Sequence, residues 1–395
     1  MTQPPKRRLA CIVDNFGYGP ACGLLDSIES AAGSYDWHFF STGQALSLLA
    51  RCMPQASLTD MNPRDRGAWT HLLASLPPEP ELIVVVSYPA LVAFLLRHGR
   101  KVLHIDQLAW MWEADEGLPE LSSTAKAGLT QVIQWYFGAS PIHGYCGTEV
   151  RPILPLGMAE IPSGDPDPSR VLLAFGGMAG AGVSDRSDSY ALWMTNQVLK
   201  AMDQTLKDAR IVVVGGSPTF IAAARNRYPG VTFLAGLARR EYLALLAASG
   251  HQILTPGLAS IYEADALQLA PLFLPGSHKS MLLQSADLVE RGYATTSEWG
   301  WQRSLVAALR HEPEEQMLLE LVRQIQASLL DPSAASVLVE QLSEYLAEEP
   351  GPPLNLNVPK GLPTSQQTVE LRLSISSPGP TRFLGDAGGT PWPPA

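Results

Sequence analysis

Two short apolar runs, Ile253 to Thr255 and Leu272 to Leu274, flank a segment in which Ala259, Ile261, Ala264 and Leu267 recur at helical spacing. Pro256-Gly257 ends the first run and Pro275-Gly276 ends the second. The pattern reads strand, helix, strand. Short strands joined through a helix of this length argue for a parallel βαβ unit, since antiparallel neighbours need no such crossover. In open parallel sheets, ligands bind beyond the carboxyl ends of the strands. The stretch therefore constrains both the fold class, α/β, and the place where a site would lie.

Its polar residues suit that place. Gly257 opens the helix, and a residue without Cβ lets an anion reach the exposed N–H groups and the positive end of the helix dipole. Glu263 follows about two turns later, where one carboxylate can accept hydrogen bonds from two neighbouring hydroxyls. Gln284 lies beyond the second strand, with an amide that both donates to and accepts from hydroxyls. Taken alone, these residues fit equally a plain buried βαβ core, with Glu263 solvated and Gln284 an ordinary surface residue.

From residue 251 to 292 the chain resembles the nucleotide-sugar site of two-domain glycosyltransferases of the GT-B fold. The likeness is greatest to the bacterial transferases that add N-acetylglucosamine to the lipid-linked muramyl-peptide precursor. In that family a Gly-rich turn, a helix carrying Glu, a strand between two prolines, a His-Lys pair and a Gln follow in this order. Here they are Thr255-Pro256-Gly257, Glu263, Pro271 to Pro275, His278-Lys279 and Gln284, with the prolines one residue closer than in the family pattern. The resemblance implies that Gly257 faces a diphosphate, Glu263 a ribose and Gln284 the donor sugar.

The 395 residues are 46% hydrophobic, which suggests two globular domains with adequate cores. A net charge of -10, from 28 basic and 38 acidic residues, disfavours nucleic acid and anionic lipid as partners. Cys11, Cys22, Cys52 and Cys146 include no C-x-x-C pair, so neither a zinc site nor a disulfide framework is indicated; reduced thiols in a cytoplasm are expected. No apolar stretch reaches membrane-spanning length, and the start lacks a signal-peptide core, so no integral membrane segment is expected.

Leu9 to Val13 reads as a first strand, turning through Asp14 to Pro20 into a helix from about Ala21 to Ala32. In GT-B enzymes this turn lies across the cleft from the donor and often carries a catalytic His after glycines. Tyr18 stands there in this chain, as an acceptor contact. Asp14 is then a base or acceptor contact, or a structural turn residue. Trp37 to Phe40, Glu81 to Val86 and Arg100 to Ile105 read as further strands, with helices at Asp65 to Leu76 and Leu91 to His98. The segment ending His104-Ile105-Asp106-Gln107 resembles the family's acceptor domain, where such a strand ends in His-Glu-Gln-Asn.

His104 and Asp106, two apart, leave one face of a regular strand, and an imidazole beside a carboxylate suits a general base. The alternative is a core imidazole bonded to a carbonyl, with Asp106 capping the next turn; the cleft-facing place under the family resemblance favours the base. Trp110 and Trp112 either wall an acceptor pocket or pack beneath the loop. A helix from about Ser123 to Phe137 and a short run from Ile153 to Pro155 are expected to complete this half.

After a Pro- and Gly-rich linker, Arg170 to Phe175 starts a second alternating unit. Its Gly176-Gly177 turn resembles the family's phosphate-binding Gly-Gly-Ser, with Met178 in place of Ser. Strands at Arg210 to Val214 and Val231 to Leu234, with helices Ser187 to Lys207 and Thr219 to Asn226, continue the alternation. Arg239-Arg240 read as solvated surface rather than a phosphate contact. Helices Glu314 to Leu330 and Ala334 to Ala347 close the domain, and the Pro-, Gly- and Ser-rich remainder reads as a mostly disordered tail.

The expected fold is α/β, a GT-B pair of Rossmann-like doubly wound domains facing a cleft. An acceptor domain covers 1–160, a linker 161–168, a nucleotide-sugar domain 169–349 and a tail 350–395. The resemblance implies an inverting, metal-independent transfer from a nucleotide diphosphate sugar, UDP by preference, to a small-molecule acceptor. The DNFGYGPA turn is similar to bacterial natural-product enzymes of the cytosylglucuronate-synthase type. His104, assisted by Asp106, is the expected base and Asp14 the second choice. Gly176, Gly177, Gly257, Glu263, His278, Lys279 and Gln284 are the expected donor contacts, and Tyr18, Trp110 and Trp112 the acceptor contacts. No metal is implied, and no cofactor beyond the nucleotide sugar substrate. Nucleotide-sugar 2-epimerases share this fold and donor site, with His278 then serving the sugar itself. A catalytically silent nucleotide-sugar-binding helper is the third reading. The sequence leaves the oligomeric state open.

Overall fold

The computed structural model describes residues 6–76, 82–111, 122–138, 148–150, 165–177, 184–293, 295–312 and 314–375. They form two wholly parallel sheets. The first contains β1 (Arg7–Val13), β2 (Tyr35–Ser41), β3 (Ser57–Asp60), β4 (Ile83–Val86), β5 (Val102–Asp106), β6 (Leu129–Gln134) and β7 (Thr148–Val150). Their order is β3-β2-β1-β4-β5-β6-β7. Helices α1 (Gly19–Ile28), α2 (Gly43–Cys52), α3 (Trp69–Ser75), α4 (Pro89–Arg97) and α5 (Ser123–Ala127) connect them. The second sheet contains β8 (Asp167–Gly176), β9 (Arg210–Gly215), β10 (Thr232–Leu234), β11 (Ser249–Leu254) and β12 (Leu272–Phe273), ordered β10-β9-β8-β11-β12. Between them run α6 (Ser184–Thr205), α7 (Pro218–Arg227), α8 (Arg239–Ala247) and α9 (Leu258–Ala266). Helices α10 (Lys279–Glu290), α11 (Gln302–His311), α12 (Glu314–Leu330), α13 (Pro332–Ala347) and α14 (Ser365–Ile375) complete the chain's described elements.

The strand sequences explain the layering. β4, Ile-Val-Val-Val, is buried throughout, as a central parallel strand covered on both faces must be. Alternate residues feed different layers: Cys11, Val13, Val84, Val86, Leu103 and Ile105 join the core under α1 and α2. Ala10, Ile12, Ile83, Val85 and Val102 join the core under α3 and α4. Trp110, Met111, Tyr136 and Phe137 of the first half pack into the core of the second, so apolar packing is continuous between domains. Both sheets reverse strand order beside their first strand, between β1 and β4 and between β8 and β11. Such reversals open a crevice at the carboxyl ends of the strands.

Two expectations are corrected, and one strand goes unsignalled in the sequence. Residues 129–134 are not the end of a helix: α5 stops at Ala127 and β6 pairs in parallel with β5. Leu129, Val132, Ile133 and Tyr136 imitate helical spacing, but Thr130, Val132 and Ile133 are β-branched and suit the pleated sheet. The edge strand β3 has no apolar alternation, with Ser57, Leu58 and Asp60 exposed, and so gives no sequence signal. The stretch after Pro350 is not tail throughout. Leu354 donates its N–H to Leu269, and Leu354 and Leu356 are buried in the second core. Helix α14 then crosses to the first domain, placing Val369 and Leu373 in the core beside α1.

β8 begins at Asp167, within the expected linker, while Ile153 to Pro155 and residues 376–395 lie outside the described residues. Among the described residues, no helix is long and apolar enough to cross a membrane. Cys11, Cys22 and Cys52 are free thiols.

Candidate functional site

The segments that follow the carboxyl ends of both sheets wall a single cleft. The first domain contributes the turn Phe16 to Pro20, the α1 residues Cys22, Leu25 and Asp26, and Gln107 and Gln134 near the ends of β5 and β6. The second contributes Gly176, Gly177, Gly236, Arg239, Glu263, His278 and Gln284, with Gly257 to Ser260 at the start of α9. The cleft is open to solvent, and counted together with the solvent at its mouth its space is about 1460 Å³.

Two helices begin at the second domain's wall of the cleft. β11 ends at Leu254, and Gly257 caps α9 in an extended conformation that any residue could adopt. What glycine supplies there is space: a Cβ would meet nothing nearer than Ser260 Oγ at 4.0 Å, so the first N–H groups of α9 stay open to the cleft. Those groups and the helix dipole favour an anion. Gly176 ends β8 at φ +60, a left-handed conformation that glycine takes without strain. His278 caps α10, with its ring Nδ1 2.9 Å from Ser280 Oγ and its edge against Phe16 at 4.9 Å between centroids. Burial lowers its pKa to about 4, so the imidazole is neutral at neutral pH and offers a hydrogen bond without a charge.

Deeper in the wall lie two polar side chains, each 2% exposed: Glu263 and Gln284. Glu263 Oε2 and Gln284 Oε1 have no hydrogen-bond partner. Leaving such an atom buried and unpaired costs about 1–3 kcal/mol. Two of them on one cleft wall are what a ligand rich in hydroxyls would satisfy.

Arg239 belongs to the site although its sequence position reads as surface. It reaches Asp26 of the first domain through Nε at 3.2 Å and Nη2 at 2.9 Å, and its Nη1 donates to Glu263 Oε1. Burial raises the pKa of Asp26, and the Arg239 guanidinium pulls it back down. Arg240 does meet the surface expectation, pairing with Glu29 at 3.1 Å on an exposed edge. The Arg-Arg pair at a helix start gives no sign of which side chain turns inward.

Several expected residues are not brought into the cleft. His104 and Asp106 share a face of β5, with Nε2 3.9 Å from Oδ2, but both are fully buried outside the cleft wall. His104 Nδ1 lies 3.4 Å from Gln131 Nε2, and burial lowers its pKa against the pull of Asp106. Asp106 accepts from the Leu108 N–H at 3.0 Å and so fixes the following turn. The pair lies in the core, without the carbonyl bond expected of a core imidazole, and the base assignment is corrected accordingly. Asp14 is gripped by Arg64, Nε to Oδ1 and Nη2 to Oδ2 both at 2.8 Å, and is also outside the cleft wall. Lys279 is buried with Nζ donating to the Glu312 carbonyl at 2.6 Å, which removes it from the donor set. Trp110 stacks on Tyr136 at 4.0 Å and 7° within the apolar core rather than on the cleft. Trp112 and Met178 lie outside the described residues. Tyr18, Gly176, Gly177, Gly257, Glu263, His278 and Gln284 are brought together.

No protein-family model matches the chain, and no curated protein sequence matches it. Solved structures do. The spinosyn rhamnosyltransferase SpnG, complexed with thymidine diphosphate, matches at TM-score 0.53 and 11% identity, over 93% of this chain and 100% of that one. The glycotransferase of kitacinnamycin matches at TM-score 0.50 and 14% identity, over 95% of this chain and 100% of that one. The likeness is one of fold: two Rossmann-like domains in the GT-B arrangement.

Proposed function

We propose that this chain is a glycosyltransferase that moves a sugar from a nucleoside diphosphate sugar to a small-molecule acceptor. The observation that carries this reading is the pair of buried, unpartnered oxygens, Glu263 Oε2 and Gln284 Oε1, on a wall that also presents the open start of α9. In this reading the diphosphate lies over the N-terminus of α9, against the Gly176-Gly177 turn and His278. Glu263 takes a ribose hydroxyl, and Gln284 takes hydroxyls of the donor sugar. Charge growing on the leaving diphosphate meets N–H groups and helix dipoles already aimed at it, an electrostatic stabilisation that needs no protein movement during reaction.

The acceptor lies across the cleft, against Phe16, Tyr18 and Leu25 of the first domain. Attack by an acceptor hydroxyl or amine from that side, opposite the leaving group, forms the new glycosidic bond as the bond to the diphosphate breaks, inverts the sugar carbon and releases the acceptor's proton to solvent. An apolar wall of this kind suits a small natural-product scaffold better than an extended charged polymer.

A thermal-shift panel of UDP, GDP, CDP and dTDP, with inorganic phosphate as control, tests the donor site. One nucleotide should stabilise the chain selectively, and Glu263→Ala should abolish the shift. Product analysis with sugars of that nucleotide then distinguishes transfer from epimerisation. No shift with any nucleotide at millimolar concentration would overturn the proposal.

A further inference from the structure

Arg239 is a cation held between carboxylates of different domains, and the donor contacts assigned to the cleft do not use it. Its side chain is 12% exposed, with Asp26 of α1 on one side and Glu263 of α9 on the other. The pairing is uneven at Glu263: Oε1 receives the Arg239 Nη1 proton, while Oε2 is buried without a partner. One oxygen is anchored and the other has no partner, on a side chain that lines the cleft. Removing the cation would leave two buried carboxylates with no counter-charge and nothing to fix the orientation of Glu263.

We propose that Arg239 is a positioning residue for the donor: braced by Asp26, it anchors Glu263 Oε1 so that Oε2 accepts a hydrogen bond from a ribose hydroxyl. The inference rests on the donor-site reading. Its content is that a residue of the acceptor-side domain, Asp26, helps set donor affinity through Arg239. A competing picture, in which Arg239 is a latch that the donor must displace, requires the ribose to take Oε1. The free Oε2 makes that displacement unnecessary.

The test compares UDP with 2′,3′-dideoxy-UDP on the native chain, Arg239→Ala, Arg239→Lys and Asp26→Asn by titration calorimetry. The matched thymine pair serves if dTDP is the nucleotide bound. The native chain should prefer the hydroxylated ligand. Arg239→Ala should weaken that ligand about tenfold, as expected for loss of one hydrogen bond to a charged group. The dideoxy ligand has no hydroxyl to lose and should change by less than about twofold. Asp26→Asn should act in the same direction with a smaller effect. If Arg239→Ala does not fold, Arg239→Lys carries the test, since it keeps the charge but loses the planar fork. Equal weakening of both ligands would mean a merely structural role, and tighter binding would mean a latch; either overturns the inference and leaves the donor site standing. A native chain that binds no nucleoside diphosphate overturns the donor reading, and this inference with it.

Discussion

Gly177, in the turn after β8, lies so close to Gly17, in the turn after β1, that a Cβ on Gly177 would stand 2.4 Å from Gly17 Cα. The Tyr18 backbone nitrogen would be only 2.5 Å away. The two turns belong to different domains and both wall the cleft, and glycine at this position permits their close approach. Gly177→Ala must therefore move backbone, not a flexible side chain. We expect it to cost about 1–3 kcal/mol in urea unfolding and to weaken nucleotide binding as well. Gly17→Ala differs in kind: its Cβ would make only an ordinary 3.6 Å contact, but φ is +66. It should cost about 1–2 kcal/mol through local strain and leave nucleotide binding largely intact. Equal effects of the two changes on binding would show that domain spacing is not what Gly177 controls.

Gln284→Met separates stability from binding. The substitution removes an unpartnered buried oxygen at similar volume, so the empty protein should be unchanged or more stable by about 1 kcal/mol. Affinity for the sugar nucleotide should nevertheless fall, while affinity for the nucleoside diphosphate alone stays the same, because the amide is assigned to the sugar. Calorimetry with both ligands reads the difference. A matching loss for both would move Gln284 to the diphosphate.

Apart from β3, β6 and β7, the strands of both sheets were legible because buried parallel strands are short apolar runs between turn signals, as in Ile83 to Val86. The cleft position of Gly257, Glu263 and Gln284 was legible for a similar reason: they follow strand ends, where chain direction fixes their place. The first domain's wall was not. Alternation along β5 puts His104 and Asp106 on one face, but sequence does not say whether that face meets the cleft or the core under α3 and α4. Lys279 and Arg239 both depart from their expected environments for the same reason: Lys279 is buried against the Glu312 carbonyl and Arg239 lines the cleft. Long side chains at helix starts can turn either way, and only the neighbouring elements decide.

Tyr136 donates its hydroxyl to Asp287 Oδ2 at 2.6 Å, and Arg310 holds the other oxygen of that carboxylate. Tyr136 follows β6 of the first domain and Asp287 lies on α10, three residues beyond Gln284. Tyr136→Phe leaves a buried carboxylate oxygen short of a donor and should destabilise by about 1–3 kcal/mol. The ring stacking on Trp110 is retained, so the loss belongs to the hydroxyl. Chemical denaturation checks the magnitude, and a change below experimental error would show that the two domains do not depend on this contact.

Helix α14 makes the residues after Pro350 part of the first domain's stability. Leu373 is buried beside α1, and Leu373→Ala should cost about 2–4 kcal/mol through lost burial and the cavity left behind. Exposed Leu371, 52% accessible on the same helix, is the control, and Leu371→Ala should change stability by less than about 0.5 kcal/mol. Similar effects of the two substitutions would remove α14 from the core.

His278 should give stability a pH dependence in the acidic range. An ordinary histidine titrates near 6.5, and burial holds this one at about 4. Between those values the unfolded chain binds more protons than the folded chain, so stability rises with pH across the window and falls as pH drops through it. The ring is only partly buried, and a cost of about 1–2 kcal/mol by pH 4 is expected rather than the full value of the shift. His38, His104 and His251 are shifted in the same direction, so the native curve alone does not isolate one group. The difference between native and His278→Phe does: the variant should lose less stability between pH 7 and 4.5. Added UDP should reduce the native slope, because a diphosphate beside the imidazole favours its charged form. Parallel curves for the two proteins would place His278 outside the titration and remove the imidazole from the donor site's acid response.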